Sequence, residues 1–284
     1  MSKEGILLCG HGSRHPDGVS GFLKMAEQIQ QRHPEKIIEA GFLELSEPSI
    51  AEAVKRLYER GVRDVLAAQA FLFAGVHVRL DIPLLLAKSM EQYDGLHIRM
   101  ASYVGVCDNL VKLGCKRIVE AEAEAPAYDR SEALLFGVGV GASVSDANGD
   151  IAKLNRLIWE AAGFDHSVFA FTSRMAKPSV ADAARIVNHL PHQTVVVLPL
   201  LFFNGVYLEN AFSAIKDVCS DSGKTFVFCK PFQCDDLVLD AIEQRLQEVI
   251  DGKVDLTQNF DREKAETRCH GHDHGHDHGH HHGH

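Results

Sequence analysis

The sequence predicts an α/β fold made of two similar lobes, each a doubly wound parallel sheet, that arose by internal duplication. Short apolar runs bounded by glycine, with no polar alternation, read as strands buried on both faces. Stretches with apolar residues at helical spacing separate them, and the short connections make the sheets parallel. The third observation is repetition, since whole motifs of the first half recur about 130 positions later.

Taken in order, Ile6 to Cys9 is the first strand, and it runs into Gly10, His11, Gly12, Ser13, Arg14 and His15. Val19, Phe22, Leu23, Ala26 and Ile29 then follow at helical spacing. Lys36 to Leu43 is a second strand ending near Glu44. Ser49 caps the next helix, whose apolar stripe is Ile50, Ala53, Val54 and Leu57. Gly61 stops that helix, and Asp64 to Phe73 is a third strand. Ala74-Gly75-Val76-His77 stands at its carboxyl end, followed by Arg79, Asp81 and an apolar helix through Met90. Leu96 to Ser102 and Cys107 to Glu124 give the fourth strand and helix.

The second half repeats this plan. Glu47-Pro-Ser-Ile-Ala-Glu-Ala53 returns as Lys177-Pro-Ser-Val-Ala-Asp-Ala183, and Phe73-Ala-Gly-Val-His-Val78 as Phe203-Asn-Gly-Val-Tyr-Leu208. Leu8-Cys-Gly-His-Gly12 matches Gly137-Val-Gly-Val-Gly141. The expected division is a first lobe over 1–125, a degenerate second lobe over 131–250, and a flexible His-rich tail over 251–284. The copies differ where chemistry sits: His11 faces Val140, Glu44 faces Arg174, and His77 faces Tyr207. The active constellation therefore belongs to the first lobe.

Composition narrows the function. A chain of 284 residues can bury one large core or two of about 130 residues. Its 45% hydrophobic and 24% charged residues are ordinary for a soluble globular protein. No apolar run approaches the roughly 20 residues of a membrane span. The first residues lead straight into a strand, so a cytoplasmic protein without a membrane partner is expected. The formal charge of −10 and the lack of a basic run argue against nucleic acid. The seven cysteines contain no Cys-x-x-Cys pair. Cys229 and Cys234 are a weak metal or cluster signal against a bland reading as buried thiols.

A histidine between two glycines at the end of a first strand lies where open α/β sheets place ligands. Gly10 and Gly12 would admit a large ligand to the backbone, with Ser13 and Arg14 supplying polar groups. Leu-Leu-Cys-Gly-His-Gly-Ser-Arg14, Gly-Phe-Leu-Glu-Leu-Ser-Glu-Pro-Ser49 and Phe-Leu-Phe-Ala-Gly-Val-His77 together resemble the class II tetrapyrrole chelatases. The closest subgroup is the long, two-domain sirohydrochlorin cobaltochelatases of CbiX type, over residues 5 to 235. The resemblance implies insertion of Co2+ into sirohydrochlorin in cobalamin synthesis, with His11 and His77 as paired active-site histidines and Glu44 as their acidic partner. Neighbouring enzymes of the tetrapyrrole pathway would be partners. One departure is Gln69, where a proline often precedes the aromatic run and where the second copy has Pro199.

The chemistry suits those residues. Metal insertion strips water from a divalent ion and removes two pyrrole N–H protons. Neutral imidazole binds Co2+, Fe2+, Ni2+ or Zn2+ and takes up protons near neutral pH. Glu44 can orient an imidazole or pass a proton onward. No cofactor beyond the substrate metal is called for. A polyanionic substrate on an acidic protein needs local cations, for which Arg14 and Arg79 are the candidates. His270, His272, His274, His276, His278, His280, His281, His282 and His284, interleaved with Gly and Asp, offer many transient metal sites. Three alternatives stay open: ferro- or nickelochelation, a metal-storage or metallochaperone protein whose function is the tail, and a phosphohistidine phosphatase. The last lacks the arginine usually found just before the histidine, where Gly10 stands.

Overall fold

Alternate residues of strand β1 (Lys3–Gly10) face opposite apolar layers: Ile6 and Leu8 point into one, Leu7 and Cys9 into the other. A strand buried on both faces belongs inside its sheet. In the computed structural model, which describes residues 3–272 and side chains through Arg268, β1 is central. It pairs in parallel with β2 (Ile37–Phe42) and β3 (Val62–Gln69), and β4 (His97–Met100) completes the order β2-β1-β3-β4. The second sheet repeats this as β6 (His166–Phe171), β5 (Leu134–Gly139), β7 (Thr194–Pro199) and β8 (Thr225–Phe228), all parallel. The predicted pair of duplicated α/β lobes is what the chain forms.

The layers follow from the apolar stripes. Helices α2 (Ile50–Glu59) and α3 (Ile82–Gln92) cover the outer face of the first sheet through Ile50, Val54, Leu57, Ile82 and Leu86. Ser49 caps α2 reciprocally with Glu52, as its Ser-x-x-Glu spacing requires. Helices α6 (Val180–His189) and α7 (Val206–Val218) cover the outer face of the second sheet. Between the sheets lies one continuous apolar layer. It is built from α1 (Pro16–Arg32), α4 (Asp108–Glu122), α5 (Ser145–Ala162) and α8 (Asp236–Ile250).

In that layer the two halves exchange their last helices. Helix α4 packs on β7 and β8, while α8 packs on β3. Gly114 of α4 lies so close to α5 that a Cβ would sit 2.5 Å from Ile158 Cδ1. Buried Arg117 of α4 donates to the carbonyls of Pro231 and Phe232, at 3.0 and 2.6 Å. Arg99 of β4 reciprocates by donating to the carbonyl of Val249 at 3.2 Å. The bounds 1–125 and 131–250 thus divide the strands but not the helices.

Two sequence expectations change. The third strand ends at Gln69 rather than Phe73, because the backbone beyond it turns to the 101–105 segment: Phe71 and Leu72 accept from Val104 and Gly105. Buried Gln69 fastens that turn by donating to the carbonyl of Ala101 at 2.7 Å. The flexible tail expected from residue 251 gives way, over residues 251–268, to packed chain. β4 is a sheet edge with unpaired backbone groups. Met100 N–H donates to Asp255 Oδ1 at 3.1 Å, and Leu256 N–H donates to the carbonyl of Met100 at 2.9 Å. Helix α9 (Arg262–His272) then lays buried Ala265 against Leu80 and Leu84. His270 and His272 fall in the backbone of α9; His274, His276, His278, His280, His281, His282 and His284 lie outside the described residues. No described helix is long and apolar enough to cross a membrane.

Because α8 covers the first sheet while joined to the second half, Leu239→Ala should remove about 2–5 kcal/mol from the whole molecule. Trp159, on α5, packs in the same layer. Urea unfolding followed by its fluorescence and by far-UV circular dichroism should shift as one transition. Two separated transitions would mean that the layer does not couple the lobes.

Candidate metal centre

His11 is the first residue beyond β1, and its backbone is fixed from the neighbouring strand end. The carbonyl of Gly10 accepts from Leu43 N–H at 2.8 Å and that of His11 from Glu44 N–H at 3.0 Å. Gly12 makes this crossing of chains feasible. Its φ of 96° suits glycine, and a Cβ there would lie 1.7 Å from the carbonyl oxygen of Glu44. A Cβ on Gly10 would meet the Phe22 ring at 2.6 Å. Protein thus fills the space beside both glycines that the sequence reading reserved for a ligand; their role is to bring His11 and Glu44 together. Ser13 is tied in as well, its N–H donating to Ser46 Oγ and its carbonyl accepting from that hydroxyl, both at 3.0 Å.

His77 arrives from the other side. It opens a π turn (His77–Asp81) that runs into α3, where the loop reading placed it just before a helix. Its ring centroid lies 5.0 Å from that of His11, at 83°. His11 Nδ1 is 3.5 Å from Glu44 Oε1. One ligand atom from each of His11, Glu44 and His77 lies within 4.8 Å of the others. Among the described residues this is the one such cluster of His, Cys, Asp and Glu. A bound ion with ligand bonds of about 2.1 Å needs them somewhat closer, a distance that side-chain rotation covers.

Electrostatics leaves these groups ready for a cation. Desolvation, and then the neighbouring charge of His77, lowers the His11 pKa below its ordinary 6.5; the Glu44 carboxylate opposes this without cancelling it. Near neutral pH His11 is therefore the neutral, ligating imidazole. His77 Nδ1 hydrogen-bonds Asp81 Oδ2 at 2.7 Å. The carboxylate accepts, so the proton sits on Nδ1 and Nε2 keeps its lone pair for a metal. Asp81 is the functional residue the sequence reading passed over. Its four-residue spacing from His77 was the available signal, since i and i+4 share a helix face.

The cationic candidates are placed differently. Arg79 donates to the carbonyl of Ala74 at 3.2 Å and pairs with Asp146 of the second half at 3.1 Å. Arg14 is exposed and makes no ion pair with a described residue. A second pair links the segments that follow strands of the two sheets, His15 Nε2 to Glu209 Oε1 at 3.3 Å. The second lobe repeats the backbone without the chemistry. The carbonyls of Gly139 and Val140 accept from Thr172 and Ser173, at 2.9 and 2.8 Å, as Gly10 and His11 do from Leu43 and Glu44. The side chains there are Val140, Ser173 and Tyr207. Ser173 stands where Glu44 does, and Arg174, the counterpart expected from the 130-residue offset, falls one residue further on because the strand ends align at an offset of 129. Cys229 and Cys234 are the bland case: burial pushes their thiols up to about 12 and about 11, so neither supplies a thiolate near neutral pH.

The CbiX family model matches residues 5–121 and again 134–249. This chain belongs to the CbiX family. Both CbiX matches stop where the exchanged helices end. A sirohydrochlorin cobaltochelatase of Priestia megaterium is 26% identical over 213 residues, 74% of this chain and 68% of the relative. A sirohydrochlorin ferrochelatase of the same organism is 22% identical over 219 residues, 77% and 80% of the two chains. The cobaltochelatase of Methanosarcina barkeri is 33% identical over 126 residues, 42% of this CbiX chain and 97% of its own. Among solved structures, SirB from Bacillus subtilis with Fe3+ superposes with a TM-score of 0.78 at 20% identity, over 89% of this chain and 99% of that one. That likeness concerns the fold.

The charges around His11 set a testable order. Glu44 raises its pKa and His77 lowers it, so Glu44→Gln should move the titration midpoint down and His77→Ala should move it up. Proton NMR of the His11 ring signal between pH 4 and 8 measures both. Unchanged midpoints in the two variants would show that the three groups are not neighbours in solution.

Proposed function

We propose that this CbiX-family chain inserts Co2+ into sirohydrochlorin in cobalamin synthesis. The observation that carries the reading is the convergence of His11, Glu44 and His77 at the carboxyl end of the first sheet, with ligand atoms within 4.8 Å of one another. Relatives named for the same substrate support it, and the Methanosarcina relative, at 33% identity, bears the cobalt name. The Priestia ferrochelatase makes Fe2+ the specific rival metal. An imidazole–carboxylate set does not choose between them by donor type.

In this reading His77, oriented by Asp81, and neutral His11 replace waters on the arriving ion, with Glu44 as the third donor. The ion then passes to the ring nitrogens, and two pyrrole N–H protons leave as two positive charges enter. Each imidazole that releases the metal regains a lone pair and accepts one of those protons; Glu44 beside His11 offers an exit. Substrate carboxylates are met by Arg14 and by Arg79, which exchanges Asp146 for a substrate carboxylate. The histidines from His270 to His284 collect metal for the cleft.

His11→Ala and His77→Ala should each lower chelation at least 100-fold with an unchanged circular dichroism spectrum. Tyr207→Ala, at the silent counterpart, should slow it only a few-fold. Assaying sirohydrochlorin metallation by absorbance decides, and near-full turnover by either histidine variant would overturn the assignment. A matrix of Co2+, Fe2+ and Ni2+ in the same assay settles the metal.

Deleting residues 270–284 should leave the rate at saturating Co2+ nearly unchanged and slow the enzyme when metal is scarce, since tethered ligands raise local metal concentration. The comparison is rate against free Co2+ for both chains. A large loss at saturating metal would make the histidines part of the catalytic site and remove the reservoir role.

A further inference from the structure

Helix α9 packs on the turn that carries His77, and its last described side chain, Arg268, meets the carboxylate that holds His77. Arg268 Nε lies 3.3 Å from Asp81 Oδ1 and 3.4 Å from Asp81 Oδ2. Oδ2 is the atom that holds His77 Nδ1 at 2.7 Å. Oδ1 is buried and accepts no hydrogen bond from the described residues, so the guanidinium is the cation that compensates it. Asp81 itself is only 16% exposed, a depth at which an uncompensated carboxylate is costly.

The placement of Arg268 is built, not incidental. Helix α9 is fixed to the π turn by Ala265, buried against Leu80 and Leu84 on either side of Asp81, with Phe260 and Val76 packed around them. Arg262, six residues earlier, pairs with Glu91 of α3 at 2.7 Å. The second lobe provides the contrast. At the positions matching His77 and Asp81 it has Tyr207 and Ala211, and the element that follows α4, the counterpart of α8, is a three-residue helical turn (Arg130–Glu132) rather than a helix like α9. The lobe without the histidine also lacks its carboxylate.

We infer that Arg268 is a positioning residue for metal insertion: through Asp81 it holds the His77 imidazole in the one orientation that turns Nε2 toward His11 and Glu44. The inference rests on the chelatase reading for its activity readout. Partners of this kind, one shell behind a metal-binding histidine, are worth about 10- to 100-fold in affinity or activity. The helix that precedes the His-rich segment is thereby part of the catalytic lobe.

The test uses the full chain, saturating Co2+ and sirohydrochlorin. Arg268→Ala should lower kcat about 10-fold, and Arg268→Lys should recover most of it by keeping the charge. Lys264→Ala, on the exposed side of α9 and away from Asp81, should leave kcat unchanged. Asp81→Asn should be as impaired alone as in combination with Arg268→Ala, because both act on one path. NMR of the His77 Nδ1 proton supplies a readout independent of turnover: its signal, protected in the native chain, should broaden into exchange in Arg268→Ala. Wild-type kcat in Arg268→Ala would overturn the inference. So would losses that multiply in the double variant, or an equal loss in Lys264→Ala. If the native chain metallates nothing, the chelatase reading fails and the NMR signal alone decides, an undiminished signal in Arg268→Ala refuting the positioning role.

Discussion

The exchange of α4 and α8 is the constraint on which the rest of the molecule depends. Each sheet needs two helices on its inner face, and each obtains one of them from the other half of the chain. The resulting apolar layer is continuous from Ile6 of the first sheet to Val196 of the second. Two sheets clamped through a shared core cannot rotate freely about a linker, as lobes joined by a smaller polar interface do. Their carboxyl edges are held facing each other, and the cross-cleft pairs Arg79–Asp146 and His15–Glu209 sit where that orientation brings them. A rigid cleft suits a reaction whose substrate is itself a stiff ring and whose transferred ion tolerates little error in position.

Within that frame, one backbone pattern serves two purposes. At both sheets the strand end accepts hydrogen bonds from the residues following the neighbouring strand, with nearly the same lengths. In the first lobe this geometry places an imidazole against a carboxylate; in the second it places Val140 against Ser173. The backbone is thus a scaffold whose stability does not require the site. What distinguishes the first lobe is side-chain identity at four positions, His11, Glu44, His77 and Asp81, plus the guanidinium that reaches Asp81 from α9.

Much of this was legible from the chain alone. Buried parallel strands advertise themselves as unbroken apolar runs such as Leu7 to Cys9, and the Ser49 cap and the 130-residue repeat gave order and symmetry. His11, Glu44 and His77 were recognisable because they stand at element ends and vanish in the copy. The helix exchange was not legible: the apolar stripes of α4 and α8 fit either sheet, and periodicity says which face is buried but not against what. The roles of Gly10 and Gly12 were misread for a related reason, since a glycine permits close approach without specifying by a ligand or by Phe22 and Glu44. Arg268 carries no local signal at all. Its partner lies 187 positions away, and nothing near residue 268 distinguishes it from a solvated arginine.

That separation also has a consequence for synthesis. At roughly 5–20 residues per second, the interval between making Asp81 and making Arg268, 187 positions apart, is roughly 10–40 s. Throughout most of it the first sheet has its histidines but neither α8 over its inner face nor α9 behind Asp81. The ligand groups exist early and are assembled late. On the proposed reading, a nascent chain therefore emerges from the ribosome without a finished trap for stray divalent ions, and the centre is complete only after α9 is made.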